Sequence, residues 1–253
     1  MTVYPHFSDK GDYMTEFNKS QWAKDEFTRE YRDNADIYVM ERARMLNILK
    51  SFYIHFMKKD RKKSILDLGC GDGIIAYELL KTDGTISATL LDGSIDMLNN
   101  AKERLKGFEK VSYIHASFQE FLRKNVLEHQ YGFIVSSLAI HHLTMKEKKA
   151  LFRKIHAHLY PGGYFMNIDC ILAPTGTLDQ WYLSLWKEWI DEKKLSLGMN
   201  GDYFDDIIRR YKDNKDNKPD TLEDQLNALR EIGFIEADCY YKYGIFAMFG
   251  GRK

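Results

Sequence analysis

The sequence has few cysteines, and those it has are scattered. Cys70, Cys170 and Cys239 are the three among 253 residues, and no two of them have C-x-x-C spacing. Such a set indicates neither a disulfide framework nor a zinc site, so we expect reduced thiols and no bound metal.

Long apolar runs and an excess charge of one sign are missing too. No run approaches the roughly eighteen apolar residues that span a bilayer, and the first ten residues lack a basic region followed by an apolar core. We therefore expect a cytoplasmic protein with no membrane partner. Lysine plus arginine and aspartate plus glutamate number 37 each. The zero net charge argues against a nucleic-acid partner, because no global basic field exists to attract one.

The chain is long enough for one α/β domain. Its 253 residues, 44% of them hydrophobic, predict a single domain spanning 1–253. Apolar residues at helical spacing predict a helical segment at 17–60 ahead of the first strand.

Residues Ser64 to Gly73 read Ser-Ile-Leu-Asp-Leu-Gly-Cys-Gly-Asp-Gly, an apolar run that leads into three alternating glycines. The apolar run predicts a buried parallel strand, and the glycines predict a turn that brings backbone close to a ligand. Residues 74–80 should form the helix that follows. This order of strand, turn and helix is typical of nucleotide-binding sites.

The glycine spacing and two acidic residues indicate which kind of nucleotide the predicted site binds. A dinucleotide site has G-x-G-x-x-G spacing for an anionic pyrophosphate, whereas Ile74 stands here where the third glycine would be. Asp67, two residues before the first glycine, would repel a pyrophosphate and hold a cationic amino group. Asp92 ends the next predicted strand, where an acid can accept hydrogen bonds from both ribose hydroxyls. A nucleoside with a positive charge, such as S-adenosylmethionine, fits both acids.

The stretch from Leu66 to Gly73 closely resembles the first motif of the class I S-adenosylmethionine-dependent methyltransferases. The resemblance covers roughly 64–252, apart from an insertion that breaks the alternation of strand and helix. It implies a Rossmann-like α/β fold with a seven-stranded sheet, mostly parallel with an antiparallel last strand, and a helical lid inserted at 171–219. The implied cofactor is S-adenosyl-L-methionine.

The motif and the resemblance together give a set of expected cofactor-binding residues. These are Asp67, Gly69, Cys70, Gly71, Gly73, Asp92, Gly93, Met97, Ser117, Phe118, Ser136, Ala139, Tyr31 and Arg42. In the family, the residue at the place of Met97 lies flat against the adenine, and we expect Arg42 to pair with the methionine carboxylate. Ser117 stands where the family usually has an aspartate, so it is a weaker acceptor for the adenine amino group. Ser136 and Ala139 would line the methionine arm through their backbone.

Paired histidines follow the fourth predicted strand, at the edge where ligands bind in open α/β sheets, and the family often has them there. Two adjacent side chains of a strand or loop point in different directions, so we expect at most one to face the transferred methyl group. His141 is the candidate catalytic base and His142 a substrate-binding residue. A structural role for both is the alternative, because methyl transfer often needs only alignment.

Aromatic residues are concentrated on the N-terminal helices and in the insertion. We expect Trp22 and Tyr31 to line the substrate site, with ordinary helix packing as the alternative. Trp181 belongs to a predicted aromatic-rich helix at 178–190, and we expect it to contact substrate while most neighbouring tryptophans seal the lid. Residues 212–218 should form a solvated loop with no part in the mechanism.

These observations favour a methyltransferase that acts on a small-molecule acceptor by in-line displacement. A tRNA-modifying enzyme that uses this cofactor or a carboxylated form of it is an alternative. The basic cluster at 58–63 argues against it, because that cluster lies at the opposite edge of the first strand. A non-catalytic cofactor-binding module is the other alternative, and it would fill the acceptor cavity with side chains. The sequence predicts neither the acceptor nor the oligomeric state.

Overall fold

A computed structural model of the chain describes residues 17–59, 63–198 and 206–253. Its strands are β1 Ser64–Leu68, β2 Ser87–Asp92, β3 Val111–His115, β4 Tyr131–Ser137, β5 Leu159–Cys170, β6 Ile235–Tyr243 and β7 Phe246–Arg252. They form one seven-stranded sheet in the order β3-β2-β1-β4-β5-β7-β6. Neighbours from β3 to β5 are parallel, and β7 is antiparallel to both β5 and β6. The predicted mostly parallel sheet with an antiparallel last strand is confirmed.

Helices cover both faces of this sheet. They are α1 Asp25–Tyr38, α2 Arg42–Phe52, α3 Ile74–Thr82, α4 Ile95–Arg104, α5 Phe118–Arg123, α6 Met145–His158, α7 Gly176–Ser196, α8 Ile207–Asp213 and α9 Leu222–Ile232. Short 3₁₀ turns lie at Phe17–Lys19, Gln21–Ala23 and Ile140–His142. Within the described ranges, no helix has the length and apolar character needed to cross a membrane. The sequence also predicts a helix from 202, but 202–205 lie outside the described residues.

The apolar run of β1 is explained by burial on both faces. Ile65 faces the core beneath α2, α3 and α7, whereas Leu66 and Leu68 face the core beneath α6 and α9. A parallel strand covered by helices on both sides must be apolar at consecutive positions. Hydrogen-bonding side chains fix where the helices start, as Ser94 does for α4 by accepting from the Met97 N–H.

Strand β5 differs from the sequence prediction at its start. The run Tyr160-Pro161-Gly162-Gly163 predicts a turn before a strand that begins at Tyr164, but the strand begins at Leu159 and includes this run. Its pairing with β4 shifts register there, between Tyr131 and Phe133. An irregular strand pair therefore accommodates the proline and glycines that the sequence suggests would interrupt the strand.

The strand order places the site. Strand β1 lies between β2 and β4, so chain connections leave it in opposite directions and a crevice opens at the carboxyl ends of these strands. Helix α1 lies against α4 and α7, beside that crevice. The glycine loop after β1, the acid at the end of β2 and the histidines after β4 all meet there.

Candidate functional site

The glycine loop adopts a backbone that only glycine adopts without strain. Gly69 and Gly71 have φ angles of +65° and +53°. A Cβ on Gly69 would lie 2.5 Å from the Cβ of Ala139, whereas a Cβ on Gly71 would have nothing within 4 Å. Gly71 therefore leaves open space for a ligand. Gly73 corrects a prediction, because it packs against Leu90 and Ala101 and lines no cavity described here.

Asp92 organises this loop from the end of β2. One carboxylate oxygen accepts a hydrogen bond from the Gly71 N–H, and the other accepts from the Ser94 N–H, both at 2.8 Å. Burial raises the pKa of Asp92, while these N–H donors lower it. The carboxylate thus faces the ligand space from a fixed position.

Asp67 lies at the end of β1 and is fully buried. Neither of its carboxylate oxygens has a hydrogen-bond partner among the described residues. Burial raises its pKa to about 8, the nearby backbone N–H of Ala76 opposes this, and the carboxylates of Asp92 and Asp72 add to the increase. A buried acid without a partner is unfavourable, and a cationic group would satisfy it. Asp67 itself lines none of the three cavities near the loop, so its predicted contact with the cofactor stays a prediction.

Three cavities lie at this edge of the sheet, and residues of the glycine loop line the first and the third. The first cavity, about 980 Å³ up to its mouth, is lined by Gly69, Gly71, Asp92, Gly93 and Met97, all predicted from the sequence. The third cavity, about 640 Å³, shares Gly69, Gly71 and Met97 with the first. Together these two form a continuous cleft over the glycine loop.

The third cavity contains the predicted residues Tyr31, Arg42 and Cys70. Arg42 donates to Asp36 at 2.6 Å, so its charge is already partly balanced at the rim. Tyr31 is half-buried and lines all three cavities. Burial raises the pKa of its hydroxyl, so the group stays neutral.

After β3, two residues predicted from the sequence, Ser117 and Phe118, line the first cavity. Ser117 caps α5: its hydroxyl accepts from the Glu120 N–H, and the Glu120 side chain accepts from the Ser117 N–H. The hydroxyl keeps a second lone pair and Ser117 lines the first cavity, so its assignment as an acceptor for a ligand amino group stays a prediction. Phe118 lies against the glycine loop, with its ring 3.3 Å from the place of a Cβ on Gly69.

At the end of β4, the serine that lines the cavities is one position later in the chain than the serine that was predicted. Ser136 is fully buried, and its hydroxyl donates to the Leu68 carbonyl at 2.7 Å. It lines none of the three cavities, whereas Ser137 lines the first and third and Ala139 lines the first. Successive side chains of a strand face opposite sides, so an error of one residue selects the wrong serine.

The second cavity, about 800 Å³, lies between the N-terminal helices and the insertion. It shares Trp22, Tyr31, Leu138 and His142 with the first cavity. Trp22 and Tyr31 are in edge contact, with ring centroids 5.1 Å apart. The two aromatic residues that the sequence placed at a substrate site therefore stand where the two cavities meet.

Both histidines line the second cavity, and His142 also lines the first. Their ring centroids are 4.0 Å apart. Nδ1 of His141 lies 2.5 Å from a carboxylate oxygen of Asp169, and Nδ1 of His142 lies 3.2 Å from the Asp216 carbonyl oxygen. Both rings border the second cavity from the 3₁₀ turn Ile140–His142, but His141 does not line the first cavity. The expectation that at most one histidine faces the transferred methyl group therefore stays a prediction.

The prediction for Trp181 is also corrected. Its side chain is 56% exposed and lines none of the three cavities. Trp186, five residues later on α7 and so about 140° around the helix, is buried and lines the second cavity. Its indole N–H donates to the Tyr38 carbonyl at 2.8 Å.

The segment 214–220 contacts the site, although a solvated loop with no part in the mechanism was expected at 212–218. The Lys218 N–H donates to the His141 carbonyl at 2.8 Å, and the Asp216 carbonyl faces His142. Lys148 is fully buried and donates to both Lys218 O and Asp220 Oδ2 at 2.6 Å. The signal was Lys148 itself, which falls on the apolar stripe of α6 with 151, 152 and 155. Such a buried lysine needs a partner.

No group of three or more metal-ligating side chains comes together in the part of the chain that the structure describes. The donors of this site are carboxylates, backbone N–H groups and imidazoles at separate walls. They suit an organic ligand with a polar nucleoside end and a cationic end.

Comparison with known proteins agrees with this geometry. Residues 65–163 match a protein family described as a methyltransferase domain. A carboxy-S-adenosyl-L-methionine synthase from Nautilia profundicola is 22% identical over 223 residues, which is 87% of this chain and 84% of that protein.

Solved structures share the fold at low identity. An O-methyltransferase family protein from Burkholderia thailandensis has a TM-score of 0.66 and 13% identity, over 93% of this chain and 62% of that one. Human N-acetylserotonin methyltransferase, solved in complex with S-adenosylmethionine, has a TM-score of 0.53 and 17% identity, over 91% of this chain and 59% of that one. The chain thus spans about three fifths of the length of these two solved chains.

Proposed function

The chain belongs to the class I S-adenosylmethionine-dependent methyltransferases, and from that premise we propose that it methylates a small-molecule acceptor held in the second cavity. The observation that carries this proposal is the junction of the two cavities. Trp22, Tyr31 and His142 border the first cavity on one side and the second on the other. A cofactor in one cavity and an acceptor in the other would meet at these residues.

Residues in and beside the first and third cavities fit the cofactor. Asp67 lines neither cavity, but it is a buried acid without a partner two residues before Gly69, and we propose that it balances the charge of the ammonium group of the amino-acid arm. Asp92 suits the ribose hydroxyls, and the open space over Gly71 lets the ligand approach the backbone. Met97 and Phe118 would bracket the adenine, and Arg42 lies at the rim for the carboxylate.

S-adenosylmethionine, when bound, supplies a methyl group on a positively charged sulfur. What the chain contributes is alignment of the acceptor and exclusion of water from the junction. His141, held by Asp169 at 2.5 Å, and His142 are the candidate bases for an acceptor that loses a proton. The proposal includes α7, α8 and the segment 214–220 as a lid over the acceptor.

One relative favours a second candidate. The carboxy-S-adenosyl-L-methionine synthase similarity extends over more than four fifths of both chains, so the product could be a carboxylated cofactor rather than a methylated acceptor. The non-catalytic alternative is less well supported, because side chains line a cavity beside the cofactor space and do not fill it.

The test is turnover of S-adenosylmethionine with a panel of small molecules, followed by mass spectrometry of the nucleoside products. Methyl transfer produces S-adenosylhomocysteine together with a methylated acceptor. A nucleoside heavier than the cofactor by one carbon dioxide would support the second candidate. Asp92→Ala is the matched control, because it removes the ribose acceptor and should abolish both products. Tight cofactor binding without either product, across amine, hydroxyl, thiol and carboxylate acceptors, would contradict the enzyme proposal.

A further inference from the structure

Two buried polar atoms at the cavity junction lack hydrogen-bond partners among the described residues. They are Nε1 of Trp22 and Nε2 of His142. The two rings are in edge contact, with centroids 5.5 Å apart and planes at 61°. Both residues line the first and the second cavity. The two residues that carry these atoms therefore stand where the first and second cavities meet.

The hydrogen-bonding role of each atom is determined. An indole N–H is only a donor. Nδ1 of His142 lies 3.2 Å from the Asp216 carbonyl oxygen, which only accepts, so Nδ1 carries the hydrogen and Nε2 presents a lone pair. Burial lowers the pKa of His142 well below 6.5, and the neighbouring His141 lowers it further, so the ring is neutral. The site thus has one unpaired donor beside one unpaired acceptor, and leaving either unpaired is unfavourable.

A nucleophile that pairs with both atoms must accept a hydrogen bond from Trp22 and donate one to His142. It must also keep a lone pair to attack the methyl group. A hydroxyl oxygen has two lone pairs and one hydrogen, so it can do all three. An amine nitrogen has one lone pair, and a hydrogen bond from the indole would occupy it. A carboxylate has no hydrogen to donate to Nε2.

The remaining walls restrict the molecule that carries this hydroxyl. Phe27, Tyr31, Trp186 and Phe246 line the second cavity and favour a planar aromatic body. Arg210, in the same cavity, is already paired with Glu30 at 2.9 Å, so the cavity offers no net charge to an ionic substituent.

We infer that the acceptor is an uncharged aromatic hydroxyl compound, a phenol, whose oxygen is held by the Trp22 indole N–H and by Nε2 of His142. This inference rests on the proposed function and specifies its substrate class. The oxygen bonds to the methyl carbon as the carbon–sulfur bond breaks, and that electron pair stays on sulfur. The hydroxyl proton passes to Nε2 of His142. Trp22 is a binding group and His142 the proton acceptor, with His141 as the residue that packs beside it.

Binding of simple probes to the cofactor-free full-length chain tests this inference without any turnover. The chain has four tryptophans, so a ¹⁵N-labelled sample has few indole N–H signals, and Trp22→Phe identifies the relevant one. Phenol should shift the Trp22 signal and toluene should not. The ratio of phenol affinity to toluene affinity should fall at least about fivefold in both Trp22→Phe and His142→Phe, since each removes one hydrogen bond to the hydroxyl.

Trp181→Phe is the matched control. Trp181 is 56% exposed and lines none of the three cavities, so this change should leave the affinity ratio as it is in the wild type. Trp22→Phe keeps an aromatic ring against Phe27 and Tyr31, whose centroids lie 5.0 and 5.1 Å away.

The inference is overturned if phenol leaves the Trp22 signal unmoved, or if aniline shifts that signal and binds as tightly as phenol. An unchanged affinity ratio in Trp22→Phe would overturn it as well, even if His142→Phe does not fold. A separate titration with S-adenosylmethionine distinguishes this failure from failure of the proposed function, because cofactor binding does not depend on the phenol result.

Discussion

Asp92 and Gly71 are joined by a hydrogen bond of 2.8 Å, from the backbone N–H of the glycine to a carboxylate oxygen at the end of β2. The second oxygen of Asp92 holds the Ser94 N–H in the same way. One side chain thus fixes the glycine loop and the start of α4 relative to each other. It also leaves lone pairs directed at the first cavity.

Replacement of Asp92 by asparagine should weaken binding of S-adenosylmethionine. The amide keeps the shape but replaces one charged acceptor with a donor that opposes an N–H group. We expect a loss of about 1–3 kcal/mol in binding free energy, measured by calorimetric titration. Glu103→Gln is the control, because Glu103 is an exposed acid on the nearby helix α4, paired with Lys106. Equal affinity in Asp92→Asn and the control would contradict this role.

Alanine substitutions at two glycines of the loop should distinguish an effect on folding from an effect on cofactor binding. Gly69→Ala should destabilise the fold, because its Cβ would lie 2.5 Å from that of Ala139 in a left-handed backbone. Gly71→Ala meets no atom within 4 Å, so it should cost only the strain of its positive φ, roughly 1 kcal/mol, and yet reduce cofactor affinity. Thermal unfolding and calorimetry on both variants check the pair. Similar affinities for wild type and Gly71→Ala would show that the ligand does not approach this backbone.

Lys148 should anchor the segment 214–220 against the histidines. Lys148→Met removes a buried ammonium group from Lys218 O and Asp220, and we expect a loss of about 3 kcal/mol in the free energy of unfolding. Lys149→Met is the matched control on the same helix. Its ion pair with Glu231 is at the surface and should contribute less than about 1 kcal/mol. Denaturant unfolding of both variants gives the comparison, and equal losses would mean that the segment is not held through Lys148.

The sequence predicted the elements of this fold better than the contacts of the site. Periodicity and glycine spacing located β1, the loop, β2 and the acid at each strand end, because these depend on residues close together in the chain. The choice between Ser136 and Ser137 depends on strand register, and the choice between Trp181 and Trp186 depends on helix rotation. An error of one residue, or of part of a helical turn, reverses the face that a side chain occupies.

The segment 214–220 could not be placed from its own composition. Its charged and amide residues are typical of a solvated loop, and only the distant Lys148 and the histidine turn hold it in the site. Contacts of that kind join residues about 70 positions apart. The unpaired atoms of Trp22 and His142 likewise become visible only when the first and second cavities are seen to meet.

The lowered pKa of His142 predicts the direction in which its contribution to stability changes with pH. Its pKa is lowered in the folded chain from 6.5, so below about pH 6.5 the unfolded chain binds a proton that the folded chain does not. The stability that this residue contributes is complete above that pH and is lost as the pH falls. The wild type should therefore lose more stability between pH 7.5 and 5.5 than His142→Phe does, each pH being about one unit from that pKa. Identical losses in denaturant titrations would contradict a buried neutral ring.

The proposed cofactor site is tested most directly through Asp67, whose pKa is raised to about 8 in the ligand-free chain. At pH 7 the carboxyl group is then mostly protonated, and pairing with a cationic amino group must release that proton. Calorimetric titration with S-adenosylmethionine in phosphate and in Tris buffer measures the release through the difference in observed enthalpy. The wild type should release roughly one proton, and Asp67→Asn should bind more weakly and release none. Equal enthalpies in both buffers, or binding that Asp67→Asn leaves unchanged, would contradict this pairing.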